Sequence, residues 1–80
     1  MEIKIHYQRY EEDGNPIFKA EILVDGKNVA ESSTEEGYEE LAEDLHSLLP
    51  YHLKYVETEN ILKAIEWAAQ NSSDCVVLVD

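Results

Sequence analysis

The stretch Ile17-Phe18-Lys19-Ala20-Glu21-Ile22-Leu23-Val24-Asp25-Gly26-Lys27-Asn28 decides the fold. Its first eight residues set Phe18, Ala20, Ile22 and Val24 on one side and Ile17, Lys19, Glu21 and Leu23 on the other, the two-residue period of a β-strand. Asp25-Gly26 is a preferred pair for a type I′ turn, in which both positions take positive φ, so the chain doubles back into a strand over residues 27–32. Upstream, residues 2–10 alternate in the same way, with Ile3, Ile5 and Tyr7 opposite Lys4, His6 and Gln8. Between the two, Glu11-Glu12-Asp13-Gly14-Asn15-Pro16 has the chemistry of a hairpin loop. Three antiparallel strands in a meander follow.

Beyond residue 32 the period lengthens. Ser33 with Glu36 three residues on matches a capping box, and Tyr38, Leu41, Ala42, Leu45, Leu48 and Leu49 form a helical stripe, predicting a helix over about 34–49 that stops before Pro50. Thr58 suits the N-cap of a second helix over about 59–70, whose apolar arc Ile61, Leu62, Ala64, Ile65, Ala68 and Ala69 leaves a narrow polar strip. Asn71-Ser72-Ser73-Asp74 breaks it, and the unbroken apolar run Cys75–Val79 reads as a strand covered on both faces. Residues 51–56 fit either a brief strand or an apolar loop beneath the helices. The expected fold is α+β: a two-layer sandwich of order βββααβ, in which a mainly antiparallel sheet (the meander plus a C-terminal strand) carries two helices on one face, as a single domain over 1–80.

Composition narrows function by exclusion. In 80 residues, six Lys and Arg stand against eighteen Asp and Glu, a formal net charge of −12. That charge repels phosphate backbones and anionic lipid, so neither direct nucleic-acid binding nor a membrane surface is expected. No apolar run reaches the roughly 18–20 residues of a membrane span, and Met1 leads into an alternating charged segment instead of a signal peptide, so the expected location is cytoplasmic. The lone Cys75 precludes an internal disulfide and reads as a small buried hydrophobe. His6, His46 and His52 lack metal-ligand spacing, His46 suits the last turn of a helix, and Glu11-Glu12-Asp13-Gly14-Asn15 lacks the ligand series of a calcium loop. No phosphate-cradling glycine loop or nucleophile motif occurs, so no enzyme activity, cofactor or metal is expected.

The placement of the charge is more telling than its sum. Residues 1–27 hold four Lys and Arg against six acids, a net of −2, whereas residues 28–80 hold two against twelve, a net of −10. Glu35, Glu36, Glu39, Glu40, Glu43 and Asp44 fall opposite the apolar stripe of the first helix. Acid pairs four residues apart there cost a few tenths of a kcal/mol each with no Lys to offset them. These six residues are the candidate partner-binding site. Ile17, Leu23 and Leu78 form a second candidate, an apolar patch on the sheet face away from the helices, with Tyr51, Tyr55 and Trp67 as further interface residues.

Two families share parts of this pattern. Residues 15–27 followed by residues 35–49 resemble the β-β-β-α portion of double-stranded-RNA-binding domains. That family carries a Lys-Lys pair at the start of its last helix where this chain has Glu35 and Glu36, and its first helix has no counterpart, so only topology carries over. Tyr10-Glu11-Glu12-Asp13-Gly14, Asp25-Gly26-Lys27-Asn28-Val29, Glu40-Leu41, Leu49-Pro50 and Ile61-Leu62-Lys63-Ala64-Ile65 together resemble small phage anti-CRISPR proteins, from which the strand at Cys75–Val79 departs. That resemblance implies no catalysis, and binding to a nucleoprotein enzyme where nucleic acid would otherwise lie. The expected function is therefore a non-catalytic acidic protein-binding module, a nucleic-acid-mimicking inhibitor whose partner is a basic, nucleic-acid-binding protein surface. The alternative is an antitoxin-like or dimeric structural or regulatory protein that forms a homodimer through Ile17, Leu23 and Leu78.

Overall fold

A computed structural model describes residues 1–79. Strands β1 (Ile3–Glu12), β2 (Asn15–Val24) and β3 (Lys27–Thr34) form the meander, helices α1 (Tyr38–Leu48) and α2 (Thr58–Gln70) follow, and β4 (Cys75–Val79) closes the chain. The sheet is antiparallel throughout, in the order β3-β2-β1-β4. This is the α+β order βββααβ that periodicity predicts.

Both hairpins turn on Asp-Gly. Asp13 and Gly14 take φ of 53° and 81°, Asp25 and Gly26 take 49° and 84°, so each turn is of the I′ kind whose twist matches the strands. The first loop is thus shorter than its composition suggests: Glu11, Glu12, Asn15 and Pro16 all pair within the ladder. Glu12 and Asn15 close the turn, so Glu11 and Pro16 form a non-bonded pair and the proline nitrogen faces outward, beyond the end of β3 at Thr34, where no donor is required.

Ile3, Ile5 and Tyr7 from β1, Ala20 and Ile22 from β2, and Ala30 from β3 meet Leu41, Ala42, Leu45 and Leu49 of the first helical segment and Ile61, Ala64, Ile65 and Ala68 of α2. Taking side chains such as Ile5, Ile22, Leu45 and Ile65 fully out of water supplies about 1.5–3 kcal/mol each. Phe18 and Tyr38 stack edge to face at 5.3 Å, as do Tyr7 and Tyr38 at 6.0 Å, closing the core near the base of the first hairpin.

Several boundaries differ from expectation. Ser33 does not cap a helix, because it pairs with Lys19 in β3; the strand runs to Thr34 and α1 begins only after Gly37. Thr58 lies inside α2, whose N-cap is Glu57. Residues 51–53 form one 3-10 turn that buries Leu53 and exposes Tyr51 and His52. At the end of α1, Leu49 is buried and Leu48 is 53% exposed.

Candidate partner-binding surfaces

The six candidate carboxylates occupy one loop and one helix. Glu35 and Glu36 precede α1 instead of riding on it, with the Glu36 amide donating to Thr34 Oγ1 at 3.0 Å. Glu39 and Glu40 fill the first turn, where the helix dipole favours negative charge, and Glu43, also exposed, follows one turn on. Asp44 is half-buried and accepts from the Ser32 hydroxyl of β3 at 3.5 Å. Ion pairs among the described residues are Lys4–Glu2 and Lys63–Glu59, with His6–Glu21 a third only when the imidazole is protonated, so none of the six has a cationic partner. The next lysine after the six, Lys54, is committed elsewhere: its ammonium donates to the carbonyls of His46 and Ser47 at 2.6 and 2.9 Å, closing the C-terminal end of α1.

Helix packing adds a residue that α1 alone does not reveal. Glu66 of α2 joins Glu36 and Glu39 around a shallow concavity of about 320 Å³ floored by Gly37, Tyr38 and Leu62. Its place on the polar strip of α2 is legible in the sequence, but its proximity to α1 depends on the angle between the helices. Leu48 lies on the same helical row as Glu40 and Asp44, at i+4 spacing, and the exposed Tyr51 follows it. Carboxylates thus grade into exposed apolar groups along one side of α1. Tyr55 and Trp67 are also exposed, at 58% and 50%.

The open face of the sheet differs in kind. Its centre is the Glu21 carboxylate, which lies 3.2 Å from His6 Nδ1 and accepts from Asn28 Nδ2 at 2.6 Å, while the same amide reaches Glu31 at 3.3 Å. Ile17 and Leu23 are six residues apart on β2, or about 20 Å, with Lys19 and Glu21 between them. Ile17 is buried to 8% exposure opposite Tyr10. Leu78 packs against the core instead of joining them: Val77 pairs with Lys4, whose side chain is on the open face, so Val77 takes that face and Leu78 the other. The patch expected from Ile17, Leu23 and Leu78 is therefore not continuous.

Cys75 is half-buried and sits across β1 from His6, which in turn meets Glu21, a row of thiol, imidazole and carboxylate over three strands. No hydrogen bond joins the thiol to the imidazole; Ser73 instead donates to the Cys75 carbonyl and accepts from its amide. His46 contacts the Lys54 carbonyl at 3.3 Å, far along the chain from His6, and among the described residues no three candidate ligands gather as a metal site would require. Among the same residues, no helix is long and apolar enough to cross a membrane.

One titratable group is clearly displaced. Burial, reinforced by the neighbouring Tyr38 phenol and opposed by Arg9, pushes the Tyr7 hydroxyl up to about 12; among the described residues that buried hydroxyl makes no hydrogen bond of good geometry, with the Tyr38 phenol as a polar neighbour. It borders a groove of about 300 Å³ between β1 and the end of α2, lined also by Arg9, Tyr38, Ser72 and Asp74. No protein-family model, curated protein or solved structure matches the chain.

Proposed function

We propose that the protein is a non-catalytic binding module that docks its acidic surface, Glu35, Glu36, Glu39, Glu40, Glu43 and Asp44 together with Glu66, onto the basic nucleic-acid-binding surface of another protein and thereby inhibits it. The supporting observation is the absence of any cationic partner for the six residues among the described ion pairs. Acid pairs at Glu39/Glu43 and Glu40/Asp44 work against the helix, and a basic partner surface would relieve them. Exposed Leu48 and Tyr51 beside the acids supply the apolar contacts that usually carry affinity, while the carboxylates supply steering and register. A phage anti-defence inhibitor of the anti-CRISPR kind is the form of such a module that the sequence resemblance suggests.

The test is affinity capture from the encoding organism at low and moderate salt, followed by elution with nucleic acid. The captured protein should be a nucleic-acid binder, be displaced by nucleic acid, weaken with salt, and be lost with Glu39→Lys/Glu40→Lys/Glu43→Lys. Capture indifferent to salt, competitor and substitution would refute the proposal.

A further inference from the structure

Strand β1 is ten residues long, but β4 covers only part of one side of it. The last bond on that side runs from the Tyr7 amide to the Asp74 carbonyl at 3.0 Å, after which the chain turns away into α2. Backbone groups of alternate residues face alternate sides of a strand, and Glu12 faces β2 in the turn-closing pair. The amides and carbonyls of Arg9 and Glu11 therefore point to the uncovered side. This leaves an open strand edge, five residues long, with the sequence Gln8-Arg9-Tyr10-Glu11-Glu12.

We propose that this edge pairs antiparallel with the same edge of a second copy of the chain. Only residues 9 and 11 offer both an amide and a carbonyl, so a two-fold arrangement must centre on residue 9, 10 or 11. Centring on Arg9 sets Arg9 against itself, and centring on Glu11 sets Glu11 against itself. Centring on Tyr10 places each Arg9 opposite the other copy's Glu11, in both directions at once, with the two Tyr10 side chains adjacent on the axis. Opposite charges directly across a ladder stabilise it and like charges destabilise it, so this register is selected by charge. The ladder stops at Gln8 against Glu12, because the next position would need the Tyr7 amide, already bonded to Asp74.

The surroundings favour the same arrangement. Arg9 forms none of the ion pairs among the described residues, and its guanidinium lies over the Phe18 ring at 5.9 Å, fixed on the helix side of the sheet. Glu11 of the second copy arrives on that same side, at the mouth of the groove lined by Tyr7, Arg9 and Tyr38. An axis normal to the sheet keeps both helical layers on one side. The pair would present two acidic surfaces in the same direction, which multiplies affinity for a partner with repeated basic sites.

Sedimentation equilibrium across a wide concentration range tests the pairing. Wild type should approach twice the single-chain mass at high concentration, while Arg9→Glu and Glu11→Arg should each raise the dimer dissociation constant by about tenfold or more. Mixing the two variants in equal amounts should restore a dimer, since every pair across the axis is again of opposite charge. Carrying both substitutions in one chain should restore it too. A wild type that stays at single-chain mass, single variants that dimerise like wild type, or a mixture that stays monomeric would each overturn the proposal.

Discussion

The two outward surfaces of this molecule carry carboxylates on different terms. On the open sheet face, Glu21 meets the His6 imidazole and accepts from the Asn28 amide, so its carboxylate is engaged by hydrogen bonds within the fold. Along the loop before α1 and on α1 itself, no cation among the described residues answers Glu35, Glu36, Glu39, Glu40 or Glu43. The contrast teaches that net charge is a poor descriptor here. What separates the faces is whether each charge is spent inside the chain or left for something outside it.

Both faces rest on one core, so the largest effect should come from breaking what they share. Leu45, fully buried beneath α1, should cost about 2–5 kcal/mol when replaced by alanine, and chemical denaturation should show both layers unfolding together. Two separate transitions would mean that the helices and the sheet are not a single cooperative unit.

A smaller effect should appear at high pH, through Tyr7 on the core side of the sheet. Its folded pKa, about 12, lies above the ordinary 10.0, so the unfolded chain loses this proton first. The sign follows: the contribution is complete below about pH 10 and is lost as pH rises toward 12. Tyr7→Phe should flatten that decline. Because the replaced hydroxyl makes no hydrogen bond of good geometry among the described residues, the substitution should leave stability at neutral pH nearly unchanged or slightly higher. A marked loss of stability at neutral pH would show that the hydroxyl is satisfied.

The sequence makes the meander legible because its signals are local. Two Asp-Gly pairs fix the turns, and strict alternation in β1 and β2 assigns their faces before any partner is known. It misleads where two local rules compete for one residue. Ser33 satisfies a capping box and also suits a strand edge; pairing with Lys19 settles the matter and pushes Glu35 and Glu36 off the helix. Leu48 and Leu49 both fit the apolar stripe, and which is buried depends on how the helix ends. Leu78 is assigned to the wrong face because an unbroken apolar strand has no alternation to read, and the pairing of Val77 with Lys4 that fixes its faces is a property of the register with β1.

The acidic surface is more legible than its neighbours, because runs of carboxylate are exposed wherever the helix happens to start. What adjoins it is not. Glu66 reaches the surface through helix packing, and Cys75 faces His6 through strand register, neither of which has a signature within one segment.

The most direct test sets one residue from each face side by side. Glu43→Lys exchanges an i,i+4 repulsion with Glu39 for an attraction, so the melting temperature should rise by about 2–5 °C even as capture of a basic nucleic-acid-binding protein weakens. Glu21→Ala removes the acceptor of His6 and Asn28, so the melting temperature should fall while capture is unchanged. That crossed result is what a docking surface predicts. If Glu43→Lys binds as well as wild type, or if Glu21→Ala is the variant that loses the partner, the acidic face is only a solvated surface.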